Sequence, residues 1–475
     1  MTSGQMGDPG LSEATVSELR GAVRGECVLP GDTAYDEARC VWNGMIDRRP
    51  AVIVRCTGTS DVIAAIGFAR SEGLTVAVRG GSHNVAGNAT CDGGLVIDLS
   101  PMKGVRVDAQ ARTVRAQGGL TWGELDAETQ GFGLATTGGL VTSTGVAGFT
   151  LGGGIGWLMR KHGLACDNLI SADVVTADGQ TVRASESENA ELLWGLRGGG
   201  GNFGVVTEFE FRLYPVSQVL GGLVGWPAQS APDVLRFWRE WVRDTPDELC
   251  TMAAFLYAPP EPFIRPEVQG TPIFAIACFH LDLEGSAEDD LRPLRGLDPV
   301  VDVLGPMPYA VIQGMFDAGV PRGSRNYWRS GYVDALSDEA IDAILAHTSN
   351  IPPPMSQVHV HQLGGAMSRV PAGATAFGNR DAGFLMNYIG LWLDPAEDEA
   401  NVSWVRAASD AMEPYGTGAR YVNFLADEGE AGVRSAYEAE TFSRLQSLKA
   451  RYDPTNFFHL NQNIHPAGGE SHVNR

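Results

Sequence analysis

The segment LLWGLRGGGGNFGVVTEFEFRLYPV, Leu192–Val216, decides how the rest of the chain is read. Glu188–Leu196 reads as a short helix. Further on, Phe209, Phe211 and Leu213 alternate with Glu208, Glu210 and Arg212, the pattern of a half-buried strand. Between the two, Gly199, Gly201 and Gly204 spell GxGxxG. A dinucleotide site of the Rossmann type needs that motif between a strand and a following helix, so that the pyrophosphate sits on the helix N-terminus. Here a helix enters the glycines and a strand leaves them. The reversed order excludes a Rossmann site and leaves a loop able to wrap a large phosphate-bearing group in some other fold.

Two further glycine loops lie upstream. VRGGSHN, Val78–Asn84, follows the strand-like Thr75–Val78, and GGLVTSTGVAGFTLGGGIG occupies Gly138–Gly156. Glycines leaving a strand let successive backbone N–H groups point at one anion, and Arg79 can add charge-assisted hydrogen bonds. Any one loop alone reads as an ordinary turn. The chain holds 60 glycines in 475 residues, about twice average usage.

Around these loops the first half alternates strands with short helices. Ala51–Val54 and Leu95–Leu99 read as strands, Asp61–Ala69 as a helix, and Val105–Ala116 as two strands about Asp108–Arg112. Thr121 with Glu124 predicts a capped helix through Glu128. Asp178-Gly179 inside Val174–Ala184 predicts a hairpin. The pattern changes after Pro215. Val234, Leu235, Trp238, Trp241 and Val242 share one helical face, Ser337 caps a helix through His347, and Phe274–Leu283, Gln357–Leu363 and Phe384–Leu393 are longer strands. From Arg420 the chain returns to mixed polar and turn-forming sequence. The fold class is α+β, with a large sheet covered by helices on one face.

The formal net charge is −22. Such an acidic surface repels phosphate backbones and anionic lipid, which argues against nucleic acid and membrane partners. No apolar run is long enough to span a bilayer, and the opening residues MTSGQMGDPGLSEATVSEL show no secretory pattern. Seven scattered cysteines without a CxxC pair read as reduced thiols of a cytoplasmic protein, and no metal-ligand spacing occurs. Only Lys103, Lys161 and Lys449 are lysines; the excess of arginine suggests a GC-rich bacterial genome.

Taken together, YDEARCVWN (Tyr35–Asn43), VRGGSHN, TGVAGFTLGGGIGWL (Thr144–Leu158), GLACDNLISADVVTADG (Gly163–Gly179), the opening segment and YDPTNFFHLNQNIHP (Tyr452–Pro466) resemble a known family along nearly the whole chain. It is the berberine-bridge-enzyme-like branch of the FAD-linked vanillyl-alcohol-oxidase superfamily. The resemblance implies a two-part PCMH-type FAD-binding domain, residues 1–216 and 419–475, around a substrate domain, residues 217–418, whose antiparallel sheet covers the flavin. It matches His83 to the histidine that bonds the flavin 8α-methyl. It places Arg79, Gly80, Gly81 and Ser82 around the pyrophosphate, with Asn84 and Gly87 beside them. Val141, Ser143, Thr144, Gly145, Gly148, Gly152, Gly153 and Gly156 would line the ring and the diphosphate. Gly201 and Val206 would flank the adenine, and Tyr421, Asn423, Asn461 and Asn463 would hold the ring. Some relatives carry a second, cysteinyl link; Val141 stands at that position, so a single histidyl link is expected.

Many relatives also end the tail motif Tyr-x-Asn-Tyr with a tyrosine base, where this chain has Phe424. Phe424 cannot take a proton. Alternation puts His359 and His361 on one face of a strand, and imidazole titrates near neutrality, so either is a candidate acid/base or a structural pair. Tyr421 is a second candidate base, and Asn387 with Tyr388 could meet substrate. The expected activity is an oxidase that moves a hydride from an activated C–H of an alcohol, hemiacetal or secondary metabolite to flavin N5, with dioxygen as second substrate. The alternatives are a dehydrogenase with another acceptor and a flavoprotein that sequesters a small molecule without turnover. Substrate identity and oligomeric state are not legible in the sequence.

Overall fold

The computed structural model describes residues 11–468 apart from Phe263. The first ten residues, whose composition argues against a secretory signal, lie outside the described residues.

Residues up to Arg212 build two sheets. Strands Glu26–Val28, Val52–Arg55, Leu95–Asp98 and Val76–Arg79 form the first in that spatial order, with Leu95–Asp98 parallel to both Val52–Arg55 and Val76–Arg79. Helix Thr59–Ser71 makes the crossover and buries Val62, Ala65, Ile66 and Ala69 against it. The second sheet is antiparallel, ordered Val105–Asp108, Thr113–Gln117, Val205–Arg212, Leu169–Val175, Thr181–Ser185. The hairpin at Asp178-Gly179 and the capping box of Thr121 with Glu124 on helix Trp122–Gln130 both form.

The third sheet is larger and antiparallel. Val301–Asp302, Gln218–Pro227, Pro272–His280, Leu249–Tyr257, Gln357–Gln362, Phe384–Trp392 and Arg325–Val333 follow one another across it, with Gly305–Pro308 paired to Gln218–Pro227. Helices Ala231–Trp241, Asp338–Thr348 and Asp398–Met412 cover one face through Val234, Leu235, Trp238, Ile341, Ile344 and Val405. The opposite face turns toward the glycine loops. The sheet therefore has a helix-covered side and a site side, which is the bipartite PCMH-type arrangement.

Gln218–Pro227 carries a Gly-Gly pair, Gly221 and Gly222. Within the strand, Gly221 leaves room for Ile312, whose Cδ1 would stand 2.2 Å from an added Cβ. The tail also holds more order than its polar composition suggests, with helices Gly429–Ser435 and Ala439–Tyr452. The longer one packs Leu445 and Leu448 into the core of the first half, but its third fully or nearly buried position is Lys449, which breaks the apolar stripe.

Candidate active site

A cavity of about 1280 Å³ lies between the glycine loops and the site face of the large sheet. That exceeds the ~300–1,000 Å³ of a pocket holding one small ligand. At one end the lining is mostly backbone: Gly80–Asn84, Val141, Thr144, Gly145, Gly148, Gly152, Gly201 and Val206. Strand Val76–Arg79 delivers the chain to Gly80, and Ser82 adopts φ +64°, a left-handed bend. An added Cβ on Gly81 would lie 2.3 Å from the Gly145 nitrogen. The first two glycine loops therefore touch backbone to backbone, a contact only glycine permits. Gly148 and Gly201 face open space.

His83 sits in this wall. Its ring stacks on Trp42 with centroids 4.5 Å apart and planes 20° apart, and its Nε2 lies 2.7 Å from Ser143 Oγ. Burial, with the Arg322 charge adding to it, lowers its pKa to about 4, so the imidazole is neutral at pH 7. Trp42 is itself pinned, since its indole N–H donates to the Val320 carbonyl. The neighbouring Asn43 donates to the Val85 and Asn326 carbonyls and joins this loop to the large sheet. From the tail, Asn423 and Asn461 reach the cavity. The amide of Asn423 donates to the Phe149 carbonyl and the Tyr421 hydroxyl. That of Asn461 donates to the Gly201 and Phe458 carbonyls, while its Oδ1 is buried without a partner.

Several expected site residues do other work. The Arg79 guanidinium is buried and donates to the Ala38, Arg39 and Ala89 carbonyls, with Asp98 3.9 Å away, so the side chain holds the loop from behind. Tyr421 is also behind the wall. Its hydroxyl accepts from the Gly154 N–H at 2.9 Å and from Asn423, and burial pushes the phenol up, so it braces the second glycine loop. Gly87, Gly153 and Gly156 lie off the cavity, where added Cβ atoms would strike Ile46, Phe377 and the Gly138 carbonyl. Ser143 acts through His83 rather than on the cavity, and Asn463 is not part of the lining. No cysteine lines the cavity; Cys166 is fully buried elsewhere. None of the seven cysteines is in a disulfide, and among the described residues no side-chain cluster suits a metal ion.

At the other end, Gln357, His359, His361 and Asn387 project from the sheet into the cavity. Register places His359 opposite Asn387, so these alternating positions share a face. Tyr388, one residue along, points into the helix-covered core instead. His359 Nε2 lies 2.8 Å from Gln357 Oε1. His361 Nε2 and Asn387 Oδ1 are buried with no partner. Trp328, Tyr257, Met315 and Phe316 complete the lining, together with Phe424, whose ring lies 6.0 Å from that of His361. Sequence reading gave Trp328, Tyr257, Met315 and Phe316 no site role, because they arrive from separate strands and a loop that only the closed sheet brings together.

Burial lowers His359 to about 4 and His361 to about 3, from an ordinary value of 6.5. Protons then bind the unfolded chain more readily than the folded one between about pH 6.5 and pH 4. Stability should be full above pH 6.5 and fall as the pH drops through that window, by on the order of 2 kcal/mol for each ring. Denaturant midpoints at pH 7 and pH 5 check this, and His359→Gln/His361→Gln should flatten the decline.

Residues 50–185 match the FAD binding domain family, and residues 420–465 match the berberine and berberine-like family. Over nearly full length the chain is 32% identical to (R)-6-hydroxynicotine oxidase of Paenarthrobacter nicotinovorans, spanning 94% of this chain and 98% of that one. It is 31% identical to an FAD-linked oxidoreductase of Dictyostelium discoideum, spanning 95% and 97%. The chain belongs to the berberine-bridge-like FAD-linked oxidoreductases. The crystal structure of 6-hydroxy-D-nicotine oxidase from Arthrobacter nicotinovorans superposes with a TM-score of 0.83 at 28% identity, over 93% of this chain and 98% of that one. The fold is shared too by BBE-like 1 of Physcomitrella patens, with a TM-score of 0.84 at 23% identity. This berberine-bridge-like enzyme is an FAD-dependent oxidoreductase of oxidase chemistry, for which bound FAD would supply the hydride acceptor and dioxygen the reoxidant. The site fits that cofactor: a backbone-lined cradle closed to side chains, two open glycines, and an orphaned amide oxygen on Asn461. No helix among the described residues is long and apolar enough to cross a membrane.

Proposed function

We propose that the enzyme oxidises an activated C–H next to a hydroxyl or amine, with its flavin tethered through His83 alone. The single observation carrying this reading is that one continuous cavity joins the glycine cradle, where His83 stands, to the unpartnered His361 Nε2 and Asn387 Oδ1 on the sheet. Backbone N–H groups of the Gly80–Asn84 and Gly145 bends hold the diphosphate, Asn423 and Asn461 hold the ring, and Gly201 with Val206 flanks the adenine. A neutral His83 keeps a nitrogen lone pair for the bond to carbon, with Nε2 already engaged by Ser143. The absence of cysteine from the cavity wall supports a single link.

On the substrate side the neutral His361 accepts a hydrogen bond from the O–H or N–H beside the reacting carbon, and Asn387 fixes its direction. With Phe424 in place of a phenol and Tyr421 committed to the loop, His361 is the group that touches the departing proton. Its low pKa makes it an acceptor that positions rather than a strong base. We assign residues 1–216 and 419–475 to the cofactor domain and 217–418 to the substrate domain. We also place the enzyme in a bacterial cytoplasm, which seven unpaired thiols support.

Anaerobic mixing with a panel of alcohols, amines and sugars tests the reading. A true substrate should bleach the flavin, and in air it should yield one peroxide per turnover. His361→Leu should slow bleaching by about tenfold or more, the cost of losing one substrate-positioning hydrogen bond of roughly 1.5 kcal/mol. Bleaching without peroxide in air would assign a different electron acceptor.

A further inference from the structure

We propose that the substrate is an apolar ring compound bearing one polar group and no acid, and neither a saccharide nor a carboxylate or phosphate; this rests on the oxidase reading above. The half of the cavity beyond the glycine loops is walled by side chains such as Leu223, Leu256, Ile264, Ile273, Met307 and Ile389. Its polar groups are few, and most are already used. Tyr257 donates its hydroxyl to the Ile351 carbonyl, and His359 is bonded to Gln357. The buried side-chain atoms left without partners in this half are His361 Nε2 and Asn387 Oδ1, diagonal neighbours on one face of two paired strands.

A saccharide entering this space would strip water from many hydroxyls and find acceptors or donors for about one of them. Each buried, unmade hydrogen bond costs about 1–3 kcal/mol, which soon exceeds what the contacts return. An acid fares worse. Among the described residues no lysine or arginine lines the cavity, and Glu261 is its one ordinarily charged side chain. A carboxylate or phosphate would be desolvated without a counter-charge and repelled by Glu261 and by a protein of net charge −22. An uncharged aromatic body instead buries its faces against the aliphatic wall and beside Trp328 and Phe316, and presents its single hydroxyl or amine to the orphaned pair.

The test compares three probes of similar size on the purified full chain: 2-naphthalenemethanol, 2-naphthoate and cellobiose. Binding is followed anaerobically by quenching of tryptophan fluorescence, since Trp42 and Trp328 line the cavity, and in parallel by perturbation of the flavin absorbance. The expected result is that 2-naphthalenemethanol binds at least tenfold more tightly than either of the others. Naphthoate or cellobiose binding as tightly, or naphthalenemethanol leaving both signals unchanged, overturns the proposal. A colourless protein that takes up no FAD yet still prefers naphthalenemethanol by fluorescence would retain the pocket assignment while refuting the cofactor reading, so the two failures separate.

Discussion

Replacing His83 with alanine should abolish denaturation-resistant flavin completely. The wild-type chain, unfolded in guanidinium and freed of small molecules, is expected to stay yellow and to weigh one FAD more than its sequence. The His83→Ala chain should come out colourless at the sequence mass. The reason lies in three features of one side chain: stacking on Trp42, an Nε2 held 2.7 Å from Ser143, and a burial that keeps the ring unprotonated at neutral pH. A protonated imidazole has no lone pair to offer, so attachment during maturation should also slow as the pH falls toward 4. Ser143→Ala, which frees the ring to rotate without removing the nucleophile, should give slower and incomplete attachment. A wild-type chain that releases all its flavin on unfolding refutes the link and leaves the fold and the family untouched.

The second large effect is expected at Lys449. Its ammonium is fully buried and donates to Asp453 at 2.7 Å and to the carbonyls of Asn202 and Phe458 at 2.8 Å each. Asp453 in turn accepts the N–H groups of Phe457 and Phe458. This knot ties the third glycine loop, through Asn202, to the C-terminal return. Lys449→Met would leave a carboxylate buried without its cation and the Asn202 carbonyl without its donor, while Phe458 keeps only the Asn461 amide, a loss of about 3–5 kcal/mol. Denaturant unfolding should show it, together with weaker FAD retention in the His83→Ala background, where no tether masks the loosening. Lys449→Met/Asp453→Asn removes the stranded charge and keeps an amide oxygen for one of the two N–H groups, so it should recover at least ~1 kcal/mol. Equal stability of Lys449→Met and wild type would show that the knot contributes nothing.

Local signals carried far into this structure. Capping at Thr121, the hairpin at Asp178-Gly179, the helix–glycine–strand order of Leu192–Val216 and the His359/His361 alternation all depend on residues within a few positions of one another, and all are present as read. Arg79 and Tyr421 show where that reasoning stops. Each sits inside a motif that points to the cofactor, yet each side chain leaves the wall on its far side and spends its polar atoms on carbonyls or N–H groups from distant segments. The tail helix went unread because its buried face includes a lysine, and a buried charge is legible only once its partners are known.

By itself, then, the sequence determined the glycine bends, the periodicity of strands and helices, the absence of a phenol at Phe424 and the lack of a cysteine at Val141. These are properties of neighbours along the chain, set by steric freedom and side-chain chemistry. Only the tertiary structure decided which wall each polar group faces, that His361 and Asn387 stand unpartnered over an aliphatic cavity, and that Trp42 carries His83. Those facts arise from segments separated along the chain by tens to hundreds of residues, brought together by burial, and direction and desolvation at such meeting points have no signature along the chain.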